Sequence, residues 1–301
     1  MDRDVQEIFD RAGCEGALLV QPVDGGAEVG LRADEFVVPA SVIKVLVAIE
    51  AETWFAGGRL DPREPVVLAA AGRTPGPVGT SLLDDDVTLS WRDAVVLMLT
   101  ISDNPCTDAL IRRLGAGPLN ATAERLGLAS TVLVSDVMTM LDSIGQDLGR
   151  AGWDDLVSWT AGASAEEAAL ADEELPAARA LDPARGTRTS PRDMVTLLRL
   201  IWTGEAGPPG ACERVRATMA RQLTRHRLAH AFRPPARVAA KSGGLLGVVR
   251  NEIGVISYPD GRRYAAAVFT RSRPGSDDAA INAAIGAAAA HAVDALAHRD
   301  T

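Results

Sequence analysis

Of the 31 basic residues in this 301-residue chain, two are lysines, Lys44 and Lys241, and all the others are arginines. Arginine can replace a lysine that supplies only positive charge. A guanidinium does not lose its proton in proteins, however, so a lysine that must accept a proton has to remain a lysine. The two lysines are therefore the first candidates for acid–base chemistry. The alternative is that two lysines persist by chance.

Lys44 follows a serine at a spacing that suits nucleophilic catalysis. Ser41 and Lys44 lie three residues apart at the predicted start of an apolar helix, where such residues share a face, so the amine can reach the hydroxyl. The helix N-terminus favours negative charge developing on the serine oxygen. Burial beside the apolar residues 45–49 favours the neutral amine, which makes Lys44 a candidate base. The alternative is a serine cap with a surface lysine, and this motif alone does not exclude it.

Two further short motifs follow along the chain. The first is Ser102, Asp103 and Asn104, and the second is Lys241, Ser242 and Gly243, followed by Gly244 where strand-like sequence begins. Both are rare by chance in a chain with only four asparagines and two lysines. Since both lysines fall inside the three motifs, the motifs together indicate one active site.

In this order, S-x-x-K, S-D-N and K-[ST]-G resemble the signature of class A serine β-lactamases and the related penicillin-binding proteins. Residues 189–194 also resemble the threonine-rich stretch that leads into the helix after the family's omega loop. Residues 247–271 resemble its closing pair of strands. The resemblance extends over about residues 16–298, with one long gap.

The resemblance implies catalytic roles in the first two motifs. Ser41 would be the acylated nucleophile and Lys44 its activating partner. Ser102 would carry a proton toward the leaving nitrogen, and Asn104 would hold both the substrate and Lys44. Asp103 is expected to anchor its loop.

It also implies binding roles in the third motif. Lys241 would attract the substrate carboxylate and bias Ser102, and Ser242 would bind that carboxylate. The backbone N–H groups of Ser41 and Gly244 would form the oxyanion hole. Gly243 and Gly244 are typical of a strand edge that a ligand approaches closely.

The sequence departs from the family before the third motif. Class A enzymes carry an omega-loop glutamate, in an E-x-x-L-N pattern, that activates the deacylating water. Counting forward from Ser102 reaches Val137 and Met138, which are not bases, and counting back from Pro191 reaches Glu174, whose neighbours do not complete the pattern. The conceivable substitutes, each alternatively a solvated surface carboxylate, are Asp136, Asp142, Glu173, Glu174 and Asp182.

Strand-like runs occupy both ends of the chain, at 16–23, 27–31, 245–257 and 263–271, and helical runs occupy the middle. We predict an α/β (α+β) fold of the β-lactamase/transpeptidase type, with an antiparallel sheet built from both chain ends, terminal helices and an inserted all-helical lobe. The predicted sheet lobe comprises 1–35 and 235–301. The helical lobe comprises 36–234, with an atypical extended segment at about 136–186. The cleft between the lobes is the expected site.

Composition narrows the function. A net charge of −9 without a basic stripe disfavours nucleic acid, and no run is expected to reach the roughly 20 apolar residues of a membrane span. The charged first twelve residues do not read as a secretory signal, so a cytoplasmic location is expected. Three dispersed cysteines and four histidines indicate no metal site. We expect no cofactor. We expect a monomer that acts on a small-molecule substrate.

Three functions remain open. The first is a serine hydrolase that acylates on Ser41 and opens β-lactams. The second is the same chemistry on another ester or amide, which the missing export signal and missing glutamate favour. The third is a non-catalytic binding or assembly role, against which the retained Lys44, Lys241, Ser102 and Asn104 argue.

Overall fold

The computed structural model describes residues 2–298; the outermost residues of the predicted sheet lobe, 1 and 299–301, lie outside this range. Five strands form the main sheet, and every neighbouring pair is antiparallel in the order β2-β1-β7-β6-β5. The strands are β1 (Cys14–Pro22), β2 (Val29–Leu31), β5 (Arg237–Leu245), β6 (Val249–Ser257) and β7 (Arg263–Ser272). The sheet is therefore built from both chain ends, as predicted.

Helices cover both faces of this sheet. Alternate residues of β1 point to opposite sides: Leu18 packs with α1 (Asp2–Arg11) and α12 (Asp278–Ala297), and Leu19 packs with α2 (Lys44–Ala56) and α9 (Pro191–Thr203). β6 and β7 are buried along most of their length, which is why residues 253–256 and 264–269 read as continuous apolar runs; β6 also buries Arg250, Asn251 and Glu252.

The helical lobe also contains α3 (Trp91–Thr100), α4 (Asn104–Leu114), α5 (Ala116–Arg125), α10 (Pro209–Met219) and α11 (Leu228–Ala231). The Ser90 side chain caps α3, accepting a hydrogen bond from the Asp93 N–H. The prediction of an all-helical lobe is wrong in one respect. A two-stranded ribbon, β3 (Pro65–Leu68) and β4 (Val87–Ser90), crosses it, and four-residue strands carry too little alternation to be read from sequence.

The atypical segment folds into α6 (Val137–Asp147), α7 (Trp153–Gly162) and α8 (Ala165–Glu174), followed by two 3-10 turns. Asp136 and Ser164 cap α6 and α8 with their side chains. In the sequence, Ile144, Leu148, Leu156 and Trp159 indicate short helices in this segment, and the structure confirms them. A small core of their own, including Leu141, Ile144 and Leu156, joins them to Leu245 at the end of β5.

Two other expectations need correction. The predicted strand at 245–257 is broken by a turn at Leu246 and Gly247, both with positive φ, so the Lys241 motif lies inside β5 and not ahead of the sheet. By length and composition α12 is apolar enough to cross a membrane, although no such run was expected from the sequence. This is weak evidence, because half of its most apolar stretch is buried against the protein, and core helices pass the same test.

Candidate active site

Ser41 lies in a 3-10 turn, Ala40–Ile43, that runs directly into α2. In a 3-10 turn residues i and i+3 eclipse each other, so Ser41 and Lys44 project from the same side of the chain. Both line one cavity of about 660 Å³. Ala40, just before the serine, has a φ of +47°, a left-handed value that non-glycine residues rarely adopt. Such strain is typical of residues that the surrounding structure holds for function.

The Lys44 amine is buried and tied to the second motif. Its Nζ lies 2.8 Å from the Ser102 carbonyl oxygen, 3.2 Å from Ser102 Oγ and 2.9 Å from Asn104 Oδ1. Burial lowers the pKa of Lys44 to about 7, against the opposing negative charges of Asp103 and Asp108. Near neutral pH a large fraction of this amine is therefore unprotonated and can accept a proton. In the described part of the chain, no hydrogen bond joins the amine to the Ser41 hydroxyl.

The Ser102 loop is held in a strained conformation, with a φ of +64° at Ser102 itself. The buried carboxylate of Asp103 anchors the loop: it accepts hydrogen bonds from the N–H groups of Cys106 (2.8 Å) and Thr80 (2.6 Å) and caps α4. Asn104 is fixed on both sides of its amide, because Nδ2 donates to the Pro75 carbonyl at 2.8 Å while Oδ1 faces Lys44. Asp103 thus positions Ser102 and Asn104 without reaching the cavity.

Lys241 lies in β5 and is also fully buried, with Nζ donating to the Ser242 carbonyl at 2.7 Å. Burial, and next the positive charge of Lys44, hold the pKa of Lys241 well below its ordinary value, against the carboxylate of Glu252. Within the described residues, Lys241 and Ser242 do not line the 660 Å³ cavity, whereas Gly244 does. The structure therefore brings the third motif beside the site, with Gly244 at the cavity and Lys241 buried outside its lining.

Two buried polar residues of β6, missed in the sequence reasoning, support this motif. Glu252 accepts hydrogen bonds from Gln222 Nε2 (2.9 Å) and the Leu228 N–H (2.6 Å), while Gln222 Oε1 accepts from the Ser242 N–H. Asn251 donates through Nδ2 to the carbonyl oxygen of Val38 at 2.9 Å, just before the Ser41 turn. The available signal was a glutamate directly before the apolar run 253–256, since buried charges seldom occur without partners.

A third missed residue, Asp108, holds the start of α6. Its carboxylate accepts hydrogen bonds from the N–H groups of Val137 (2.7 Å) and Met138 (2.9 Å) and from Thr74 Oγ1 (2.7 Å). Burial raises the pKa of Asp108, although these hydrogen bonds oppose the shift. Val137 and Met138, which stand where the family spacing places the omega-loop glutamate, thus have apolar side chains. Their backbone N–H groups are held by Asp108 beside the cavity. The signal was an acidic residue on the apolar face of α4.

The five candidate bases lie in different places. Asp136 is the only carboxylate lining the cavity among residues 2–298, and it caps α6 and pairs with Arg112 Nε at 2.8 Å. Burial opposes the change, but hydrogen bonds from Thr139 and Arg112 lower the pKa of Asp136, which weakens it as a base. The other four lie away from the cavity lining: Asp142 accepts from the Trp153 N–H, Asp182 from the Ala184 N–H and Arg185, and Glu173 and Glu174 are exposed on α8.

A turn that presents a serine, a buried amine of lowered pKa and a strand edge beside both therefore meet on a two-lobed α/β fold, an arrangement that is chemically suited to nucleophilic catalysis. Residues 1–296 match the β-lactamase enzyme family, and the chain belongs to that family. The predicted family and fold class are confirmed.

The similar proteins carry names that point to different functions: a regulatory protein, PBP-A and a β-lactamase. It is 26% identical over 290 residues to the β-lactamase regulatory protein BlaB of Streptomyces cacaoi, with 91% of this chain and 90% of that protein covered. Its fold is similar to that of PBP-A (22% identity, TM-score 0.76, 99% and 96% of the two chains). It is equally similar to a β-lactamase from Sphaerobacter thermophilus (22% identity, TM-score 0.77, 99% and 97%).

Proposed function

We propose that this protein is a serine acyl-transfer enzyme of the β-lactamase type, acylated on Ser41. The observation that supports it best is the buried Lys44 amine, with a pKa of about 7, in the same cavity as Ser41. A neutral amine at this position can take the hydroxyl proton as the serine oxygen attacks a carbonyl carbon. Apo hydrogen bonds at such sites are often long or misaligned, so a contact formed only with substrate is compatible with this role.

In the proposed acylation step, Ser41 Oγ bonds to the carbonyl carbon and its proton moves to Lys44. The N–H groups of Ser41 and Gly244 stabilise the oxyanion. The bond from carbon to the leaving nitrogen or oxygen breaks. The proton returns from Lys44 through Ser102 Oγ, 3.2 Å away, to that leaving atom.

Deacylation is proposed to be slow. It requires a water molecule and a base beside the ester carbonyl. The side of the cavity formed by the start of α6 carries Val137, and the nearby Asp136 is held by Arg112 with a lowered pKa. Penicillins should therefore form a long-lived acyl-enzyme, as in the acyl-enzyme complex with penicillin G of a PBP-A variant. The alternative substrates are esters or amides of another metabolite.

A second candidate function is a binding or regulatory role, with little or no turnover. The relative that supports it is BlaB, which is named as a regulatory protein. An acylated state that persists for minutes could itself be the signal. In a purely binding role, by contrast, Ser41 would stay unmodified.

Intact-mass spectrometry separates these possibilities. The protein is mixed with nitrocefin, a penicillin or p-nitrophenyl acetate, and its mass is followed over time, with Ser41→Ala as the control. An adduct on the wild type that is absent from Ser41→Ala supports the proposal. Unmodified protein with all three reagents would overturn it and leave the binding role.

A further inference from the structure

The 660 Å³ cavity extends from Ser41 on the side that would receive the acyl group of a substrate. Among the described residues, Gly244 lines it, whereas Ser102, Lys241 and Ser242 do not. In the proposed reaction Ser102 delivers the proton to the leaving atom, so the leaving group must lie toward Ser102. A cavity that reaches the oxyanion N–H groups but not Ser102 therefore lies on the opposite side of the carbonyl carbon.

The wall of this cavity is mainly apolar. It is formed by α4, the segment before α6, α6 itself and the start of α7. The side chains that define it most clearly are Ile111, Leu133, Val137, Met140, Leu141 and Trp153. Its volume is in the range of pockets that enclose small-molecule ligands.

Apart from Lys44, the charged side chains that line the cavity are already paired. Asp136, Arg179 and Arg185 line it, and their partners Arg112, Asp147 and Asp182 lie outside the lining. Each of the three charges is thus already compensated by a charge of opposite sign.

Hydroxyl groups on the wall are engaged as well. Thr107 Oγ1 donates to the Asp103 carbonyl at 2.5 Å, and Ser143 Oγ donates to the Met140 carbonyl at 2.7 Å. An acyl group that needs hydrogen bonds would lose those it makes with water and gain few here, which is costly. An apolar acyl group loses nothing polar and gains burial.

We infer that the preferred substrates carry an apolar acyl chain of medium length, which lies in this cavity when the ester forms on Ser41. This inference rests on the proposed function. For a p-nitrophenyl ester, Ser41 Oγ bonds to the acyl carbon, its proton moves to Lys44, and p-nitrophenolate leaves; water later releases the fatty acid. A chain filling the cavity also keeps water from the ester, which prolongs the acyl-enzyme.

The test is a series of p-nitrophenyl esters with acyl chains of two to ten carbons. The second-order acylation rate is measured from the p-nitrophenolate burst. Each buried methylene should raise this rate about three- to fourfold until the cavity is filled. Met140→Trp, which narrows the cavity, should lower the octanoyl-to-acetyl rate ratio by about tenfold or more. The matched control is Leu170→Trp, an exposed position on α8 away from the cavity, which should keep the wild-type ratio.

Binding of the same esters to Ser41→Ala, measured by calorimetry, keeps the two proposals distinguishable. A chain-length-dependent affinity without acylation of the wild type would overturn the proposed function and leave the cavity assignment standing. Acylation at the same rate by every ester would leave the proposed function standing and overturn the assignment. A Met140→Trp ratio equal to that of Leu170→Trp would also overturn it.

Discussion

A Cβ atom added to Gly243 would lie 3.2 Å from the backbone nitrogen of Ser41. The same atom would lie 2.9 Å from the Pro39 carbonyl oxygen, closer than real Cβ contacts come. Strand β5 and the turn that carries the nucleophile therefore touch through a position that accommodates only glycine. The oxyanion N–H groups proposed for Ser41 and Gly244 are held at their spacing by this contact.

Gly243→Ala should consequently slow acylation about tenfold or more, equivalent to ~1.4 kcal/mol in the barrier. Moving β5 away from the Ser41 turn separates the two oxyanion donors. Gly244→Ala is the matched variant, because its Cβ would meet only the Val249 carbonyl oxygen at an ordinary 3.6 Å. Burst kinetics with p-nitrophenyl acetate check this, and a loss in Gly244→Ala as large as in Gly243→Ala would contradict it.

A base role for Lys44 predicts a specific pH profile. Since burial lowers the pKa of Lys44 to about 7, acylation should rise with pH up to about 7 and level off above it. Lys44→Arg should be nearly as inactive as Lys44→Ala, because arginine keeps the charge but cannot accept the proton. Acylation rates measured from pH 5 to 9 check both statements. A rate that is flat across this range, or an active Lys44→Arg, would exclude the base role.

The lowered pKa of Lys44 also affects the stability of the fold. The unfolded chain holds the Lys44 proton up to its ordinary pKa of 10.5, and the folded chain loses it near 7. Between these values unfolding takes up a proton, so this residue makes the free energy of unfolding increase as pH rises. Urea unfolding at pH 7 and 9 should show a larger increase for the wild type than for Lys44→Met, in which the titrating group is absent.

The three motifs and the sheet from both chain ends could be predicted because each depends on local pattern. The sequence does not reveal how deeply each of these side chains is buried. Lys241, expected as a cation facing the substrate carboxylate, is completely buried, where the charges of Lys44, Glu252 and Arg227 act on it. These charged residues come from α2, β6 and the segment before α11, and only tertiary packing brings them together.

Burial also changes what substitution of Lys241 should do. From the sequence, Lys241→Arg is expected to be mild because the position supplies mainly a positive charge. In a fully buried site the larger guanidinium must displace its neighbours, and overpacking of this kind costs about 1–3 kcal/mol. We now expect a lowered melting temperature as well as slower acylation, measured by calorimetry and burst kinetics. An unchanged melting temperature would mean that the strand can open toward the cleft.

Asp108, on α4, holds the start of α6, which forms part of the cavity wall. Asp108→Ala would leave the N–H groups of Val137 and Met138 without their buried acceptor, at a cost of about 1–3 kcal/mol for each group left unpaired. Asp108→Asn keeps one acceptor oxygen and should lose less. Denaturant unfolding of both variants checks this order. Hydrogen exchange at the start of α6 should increase in Asp108→Ala, and protection equal to the wild type would show that other contacts hold this helix.

Turnover is the property most sensitive to the missing glutamate. We expect a burst of product equal to one per enzyme, followed by a slow steady rate, because no free carboxylate faces the ester in the described part of the chain. If Asp136 were the base despite its pairing with Arg112, Asp136→Asn would trap the acyl-enzyme, and a linear trace in the wild type would already show efficient deacylation. If the apolar wall limits deacylation, Asp136→Asn should leave the deacylation rate close to the wild-type value.

Val137→Glu places a carboxylate on that wall and should accelerate deacylation. Time-resolved intact-mass spectrometry after a penicillin pulse measures the lifetime of the adduct in each variant. A lifetime that Asp136→Asn lengthens and Val137→Glu leaves unchanged would identify Asp136 as the working base.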